Sequence, residues 1–71
     1  MNKITKRNTE LKAGTIIEHN ACCVIELTSD YDGESYNCIE LEYDDEINDF
    51  KKIEGTEGVV TPSDLIGDYI C

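Results

Sequence analysis

The sequence predicts a small all-β domain of antiparallel strands with one short helical turn near its C-terminus. First, a length of 71 residues limits the chain to a single domain near the lower size for independent folding. Second, short stretches rich in β-branched and alternating apolar residues are separated by turn signals. Third, Thr61 followed by Pro62 is typical of a helix start. A hydrophobic content of 39% supplies a small core, so a disordered chain is not expected.

The first predicted strands lie in the N-terminal half. Residues 11–14 form a turn that leads into a strand over residues 15–19, and Asn20 interrupts that strand. Residues 21–28 are the strongest strand candidate because they are small or β-branched and no helix cap precedes them. Residues 29–34 then form a loop whose sharpest turn signal is the Asp32–Gly33 pair.

The second half continues the pattern. Residues 35–43 alternate as a strand, and residues 44–49 form an acidic connection. Two short strands, residues 50–54 and 58–61, surround a turn, and the helical turn that begins at Thr61 should stop at Gly67. The expected product is a four- or five-stranded antiparallel meander, or a small barrel similar in outline to SH3-like barrels. Residues 13–71 would form this domain, with residues 1–12 as an ordered first strand or a loose basic tail.

The facing of the two strongest strands predicts one register. Pairing residues 21–28 with residues 35–43 around the Asp-Gly loop would place Ile25 and Leu27 against Ile39 and Leu41. The same register would place Glu26 beside Cys38 or Glu40, with Glu42 further along that face. We therefore expect a row of carboxylates on one face of this hairpin.

Charge is the strongest compositional signal. The net charge is −10, from 16 acidic and 6 basic side chains, yet residues 1–12 carry a net +3. Residues 26–49 contain ten acids and no base. Such a surface disfavours direct binding to nucleic acid or an anionic membrane and favours a basic protein partner. The predicted partner-binding residues are Glu26, Asp30, Tyr31, Asp32, Glu34, Tyr36, Glu40, Glu42, Asp44, Asp45 and Glu46.

The spacing of these acids suggests mimicry of nucleic acid. Residues on one face of a strand repeat about every 6.6–6.8 Å, which is close to the scale of phosphate spacing along DNA. Tyr31 and Tyr36 would add contact area and stack on arginine, whereas Tyr43 and Tyr69 are expected in the core. The competing interpretation is an acidic sheet edge that only deters aggregation.

Other chemistry is weakly supported. The motif Asp30-Tyr31-Asp32-Gly33 resembles part of a calcium loop, but Thr28 and Ile39 would occupy its first and last ligand positions. A zinc site from His19, Cys22 and Cys38 would lack a fourth ligand. We expect no cofactor, no structured metal site and no catalysis, because the sole histidine, His19, belongs to no catalytic motif.

These observations predict a non-enzymatic acidic protein that occupies the basic nucleic-acid channel of a CRISPR effector, restriction enzyme or polymerase. Its small size, its acidity and a composition typical of AT-rich genes suggest an inhibitor from a phage or mobile element, acting in the host cytoplasm. The alternative is a small adaptor or subunit of a larger assembly whose acidity serves solubility. A third hypothesis is an acid-rich metal buffer.

Overall fold

A computed structural model describes residues 2–5, 10–20 and 23–71 of the chain. Their architecture is an antiparallel β-sheet with one helical turn, as the sequence predicts, and the sheet does not close into a barrel. Seven strands are present where four or five are expected. The elements in chain order are β1 (Asn2–Lys3), β2 (Ile16–His19), β3 (Cys23–Leu27), β4 (Tyr36–Asp44), β5 (Asp49–Lys52), β6 (Gly58–Val60), α1 (Pro62–Leu65) and β7 (Tyr69–Ile70).

The centre of the sheet is a meander of consecutive strands. Its order is β1-β7-β2-β3-β4-β5, and β6 also pairs with β4. Strand β4 carries β3 on one edge, while β6 and β5 pair with the two halves of its other edge. The nine-residue β4 is therefore the longest strand and the one around which the sheet is organised.

The N-terminal segment contributes to this sheet. Strand β1 pairs with β7, and Ile4 is fully buried in the core. Leu11 packs against the same core. Residues 1 and 6–9 of the predicted basic segment, and residues 21 and 22 of the predicted strand over residues 21–28, lie outside the described residues.

One hydrophobic core lies on one face of the sheet, where Leu65 of α1 and Ile4 pack against it. The sheet supplies alternate residues of adjacent strands, and the largest is Tyr36, which is fully buried. The buried members of the core are Ile4, Ile17, Ile25, Leu27, Tyr36, Cys38, Val60 and Leu65. We call this side the core face and the other side the outer face.

The predicted register of β3 and β4 is wrong by one residue. Ile25 lies opposite Glu40, and Glu26 lies opposite Ile39. Since directly opposed residues share a face, Ile39 and Leu41 lie on the outer face, where both are nevertheless buried. The core face of β4 is completed by Tyr36 and by Cys38, which lies opposite Leu27.

The helical turn forms for the predicted reason. The Thr61 side chain accepts a hydrogen bond from the Asp64 backbone N–H, and the Asp64 carboxylate accepts one from the Thr61 N–H at 2.9 Å. Pro62 occupies the first turn, where no N–H is needed. This capping box fixes the start of α1 and so directs Leu65 into the core.

Candidate acidic binding surface

The first acidic loop spans residues 28–35 and joins β3 to β4. Its turn is built around Asp32, whose Oδ1 accepts hydrogen bonds from the backbone N–H groups of Glu34 and Ser35, both at 2.8 Å. These two bonds, that from Ser35 first, hold the pKa of Asp32 below its ordinary value. Asp30 Oδ1 accepts a bond from the Ala13 N–H at 2.8 Å, which ties the loop to the segment before β2.

The two tyrosines of this region have different positions. Tyr31 is 38% exposed, its hydroxyl donates to the Gly33 carbonyl, and its ring centroid lies 5.3 Å from that of Tyr36. Tyr36 is fully buried, and its hydroxyl oxygen accepts a hydrogen bond from the Leu11 N–H. Tyr36 therefore belongs to the core and is not available as the predicted partner anchor.

The second acidic loop spans residues 45–48 and joins β4 to β5. Asp44 at its start accepts a hydrogen bond from the Glu46 N–H at 2.9 Å, and this bond is the main cause of a lowered pKa at Asp44. Lys51 adds to that effect from 3.3 Å, and it also lies 3.4 Å from Glu42. Contact with Asp44 and Glu42 in turn raises the pKa of Lys51.

The predicted single row of carboxylates does not form. Glu26 is on the outer face opposite Ile39, whereas Glu40 and Glu42 are on the core face. The remaining acids divide between the two loops at opposite ends of β4. Nine strand residues separate them by about 26 Å at the usual rise per residue. The acidic surface is therefore concentrated in two loops, one at each end of β4.

Little positive charge opposes these ends. Across residues 2–5, 10–20 and 23–71, Lys51 is the one lysine recorded in an ion pair with the predicted partner-binding acids. The side chains of Glu34, Asp45 and Glu46 are exposed and make no hydrogen bond or ion pair with another described side chain. Their negative charges are therefore not neutralised by an ion pair with any described residue.

A group of side-chain contacts that the sequence analysis did not predict lies at the C-terminal end of β2. Nδ1 of His19 lies 2.5 Å from Oδ2 of Asp68, and the Cys23 thiol, directly opposite His19 in β3, donates to the His19 carbonyl. Forty-nine residues separate His19 from Asp68, so only the pairing of β2 with β7 could reveal the contact. Within the described ranges, no three His, Cys, Asp or Glu side chains are grouped to hold a metal ion.

The thiols occupy separate places. Cys38 is buried in the core, and burial raises the pKa of its thiol, with the nearby Glu40 carboxylate adding to the effect. Cys71 is exposed and Cys23 is half-buried. Cys22, on which the hypothetical zinc site depends, lies outside the described residues.

Two tyrosines are exposed although the sequence analysis predicts them in the core. Tyr43 is 53% exposed and Tyr69 39%, although both are predicted core residues. Ile47 in the second acidic loop and Val59 in β6 are also exposed, at 59% and 63%. Tyr43 and Tyr69 are outer-face residues because of the observed register, a property that composition and spacing leave undetermined.

Comparisons with models of known protein families, with curated proteins and with solved structures find no match. In the part of the chain that the structure describes, no helix has the length and apolar character needed to cross a membrane.

Proposed function

We propose that the protein is a non-enzymatic inhibitor that occupies the basic nucleic-acid channel of another protein. The observation that carries this proposal is the pair of exposed acidic loops at the two ends of β4. Their separation of about 26 Å corresponds to about eight nucleotides of a DNA duplex, measured along the helix axis at about 3.4 Å each. Carboxylates at both ends of β4 would contact basic side chains along the channel, as the phosphates of a nucleic-acid backbone do.

The electrostatics support a basic partner. A net charge of −10 on 71 residues would accelerate association with a positive channel and repel free nucleic acid. Bidentate hydrogen bonds from arginine side chains of the partner to carboxylates of this protein would fix the orientation of the complex. A CRISPR effector, a restriction enzyme or a polymerase presents such a channel, and an inhibitor carried by a phage or mobile element would meet it in the host cytoplasm.

Direct binding to purified members of these three classes tests the proposal. We expect binding that excess duplex DNA displaces and that weakens as salt rises, since the acidic loops and DNA would compete for one channel. Charge reversal is best made at Glu34 and Asp45, which lie in opposite loops and whose side chains make no hydrogen bond or ion pair with another described residue. Glu42 is less suitable because reversal would also break its pair with Lys51.

The matched control reverses Glu54 and Glu57, two exposed acids of the β5–β6 connection. The double reversal E34K/D45K should abolish binding, and the control E54K/E57K should retain most of it. Binding that neither DNA nor salt displaces, or that survives E34K/D45K, would overturn the proposal.

A second candidate is an adaptor or subunit of a larger assembly. It is favoured by the exposed aliphatic side chains of Val59 and Ile66, which flank α1. Under this alternative the V59S/I66S variant should lose its partner while E34K/D45K keeps it, the reverse of the result expected for the inhibitor.

A further inference from the structure

The end of the β4–β5 hairpin combines exposed apolar side chains with uncompensated charge. Tyr43 and Phe50 are directly opposed across the two strands, and Ile47 lies in the loop between them. Tyr43 and Ile47 are more than half exposed, whereas Phe50 is half-buried. We call Tyr43, Ile47 and Phe50 the hairpin patch. Apolar side chains grouped at one exposed end of a small domain are typical of an interaction site.

The patch is held in place by contacts within the hairpin. The rings of Tyr43 and Phe50 pack edge to face, with centroids 5.6 Å apart and planes at 83°. The Tyr43 hydroxyl donates to Oδ1 of Asn48 at 2.5 Å. Asn48 has a positive φ of 55°, a conformation asparagine tolerates, so the turn can carry this acceptor. An aromatic side chain fixed before binding loses less entropy when a partner covers it.

The charges around the patch decide which partner fits. Residues 43–50 contain four carboxylates and no base. Lys51, Asp44 and Asp49 lie on the core face, whereas Tyr43, Phe50 and the exposed Lys52 lie on the outer face. Asp45 and Glu46, in the loop between the two strands, form no ion pair with any described lysine. The hairpin patch is therefore an aromatic pair with an anionic rim on its loop side, formed by Asp45 and Glu46, and with Lys52 beyond Phe50 on the opposite side.

We propose that the hairpin patch is the anchor at which this protein docks on its partner, and that it takes an apolar segment carrying arginine side chains. A guanidinium can stack on the Tyr43 ring while it pairs with a rim carboxylate. A second copy of this chain is a poor occupant, because it would bring another net charge of −10 against the same rim. The inference rests on the proposed function in that both require a basic partner, and it names the contact that gives affinity.

Three synthetic peptides of equal length serve as probes: alternating arginine and leucine, alternating arginine and serine, and alternating glutamate and leucine. Titration is followed by two-dimensional NMR of the full chain. The arginine–leucine peptide should bind at least about tenfold more tightly than the arginine–serine peptide, with the largest shifts at Tyr43, Ile47 and Phe50. The glutamate–leucine peptide should not bind.

Variants identify the anchor. Y43A should weaken the arginine–leucine peptide by about tenfold or more, as expected for an aromatic hot spot, and Y31A is the matched control at the other acidic loop. I47S, with V59S as its control, removes an exposed aliphatic side chain without disturbing the aromatic pair, so the test stands even where Y43A loosens the hairpin.

The outcomes separate the two proposals. Equal binding of both arginine peptides, with Y43A and I47S like wild type, would overturn the hairpin patch while leaving an acidic binding protein. Failure of every arginine peptide and every basic nucleic-acid-binding protein to bind would overturn both proposals. A dimer in analytical ultracentrifugation that Y43A dissociates would assign the patch to a second copy and overturn the arginine-bearing occupant.

Discussion

Nδ1 of His19 lies 2.5 Å from Oδ2 of Asp68, and Oδ1 of the same carboxylate accepts a hydrogen bond from the Asn20 N–H at 2.9 Å. Asp68 is only 6% exposed and is the one buried charged residue among those described. The contact joins the end of β2 to the residue that precedes β7. A single carboxylate thus links the C-terminal segment to the meander at a point where the strands themselves are short.

Replacing Asp68 by alanine should lower the free energy of unfolding by about 1–3 kcal/mol, because the His19 ring and the Asn20 N–H lose a buried acceptor. Urea denaturation measures the change. The control is D45A, which removes an exposed carboxylate that makes no hydrogen bond or ion pair with another residue of the described ranges. Equal losses in D68A and D45A would show that the His19–Asp68 contact contributes nothing.

Tyr36 offers a test of the observed register. Its hydroxyl accepts the Leu11 N–H at 3.0 Å, so Y36F should cost about 0.5–1.5 kcal/mol. Y36A should cost about 3–5 kcal/mol, because it leaves a cavity in a closely packed core. Y31A should cost much less, since Tyr31 is 38% exposed. Similar thermal midpoints for Y36A and Y31A would contradict the placement of Tyr36 in the core.

Local signals predicted most of the elements. The strands over residues 15–19, 35–43 and 58–61 are observed within one residue at each end, and the Thr61 cap is present as predicted. These features depend on neighbouring residues alone, such as the Thr61–Asp64 pair and the Asp32–Gly33 turn. The two-residue strands β1 and β7 could not be found this way, because they exist only through pairing with one another and with β2.

The register could not be predicted, because both faces of β4 carry apolar residues. One alternating set contains Tyr36 and Cys38, and the other contains Ile39 and Leu41. A period of two cannot decide which set joins Ile25 in the core. In the structure Tyr36 joins the core, and it has the largest of the fully buried side chains. The N–H of Thr28 donates a hydrogen bond to the Asn37 carbonyl at 2.8 Å, next to the paired residues of β3 and β4. As a result of this register, Tyr43 is exposed, the expected row of carboxylates is divided between the two faces of the sheet, and the hairpin patch forms.

Salt should stabilise the fold. Ten acids without a base between residues 26 and 49 repel one another, and screening reduces that repulsion more than it weakens the few surface ion pairs. We expect the thermal midpoint to rise with sodium chloride, and to rise less in E34K/D45K, which relieves part of the repulsion. A midpoint that falls with salt would mean that the ion pairs of Lys51 outweigh the repulsion.

The helix cap is a local contribution that can be measured alone. T61A removes the side-chain acceptor for the Asp64 N–H and should cost about 1 kcal/mol. S63A, in the same turn, removes an exposed hydroxyl that forms no hydrogen bond with any described residue, and it serves as the control. Chemical denaturation compares the two, and a loss in S63A as large as that in T61A would contradict the capping role.

The turn at Asp32 should make stability depend on pH in one direction. The Ser35 and Glu34 N–H groups hold the pKa of Asp32 below its unfolded value, so its ionised form stabilises the fold above the unfolded pKa. That contribution is lost as pH falls through the lower, folded pKa. D32N keeps an oxygen acceptor for the turn but cannot ionise. The difference in unfolding free energy between wild type and D32N should therefore be largest near neutral pH and diminish in acid. A wild-type-to-D32N difference that stays constant from neutral to acidic pH would mean that ionisation of Asp32 does not stabilise the loop.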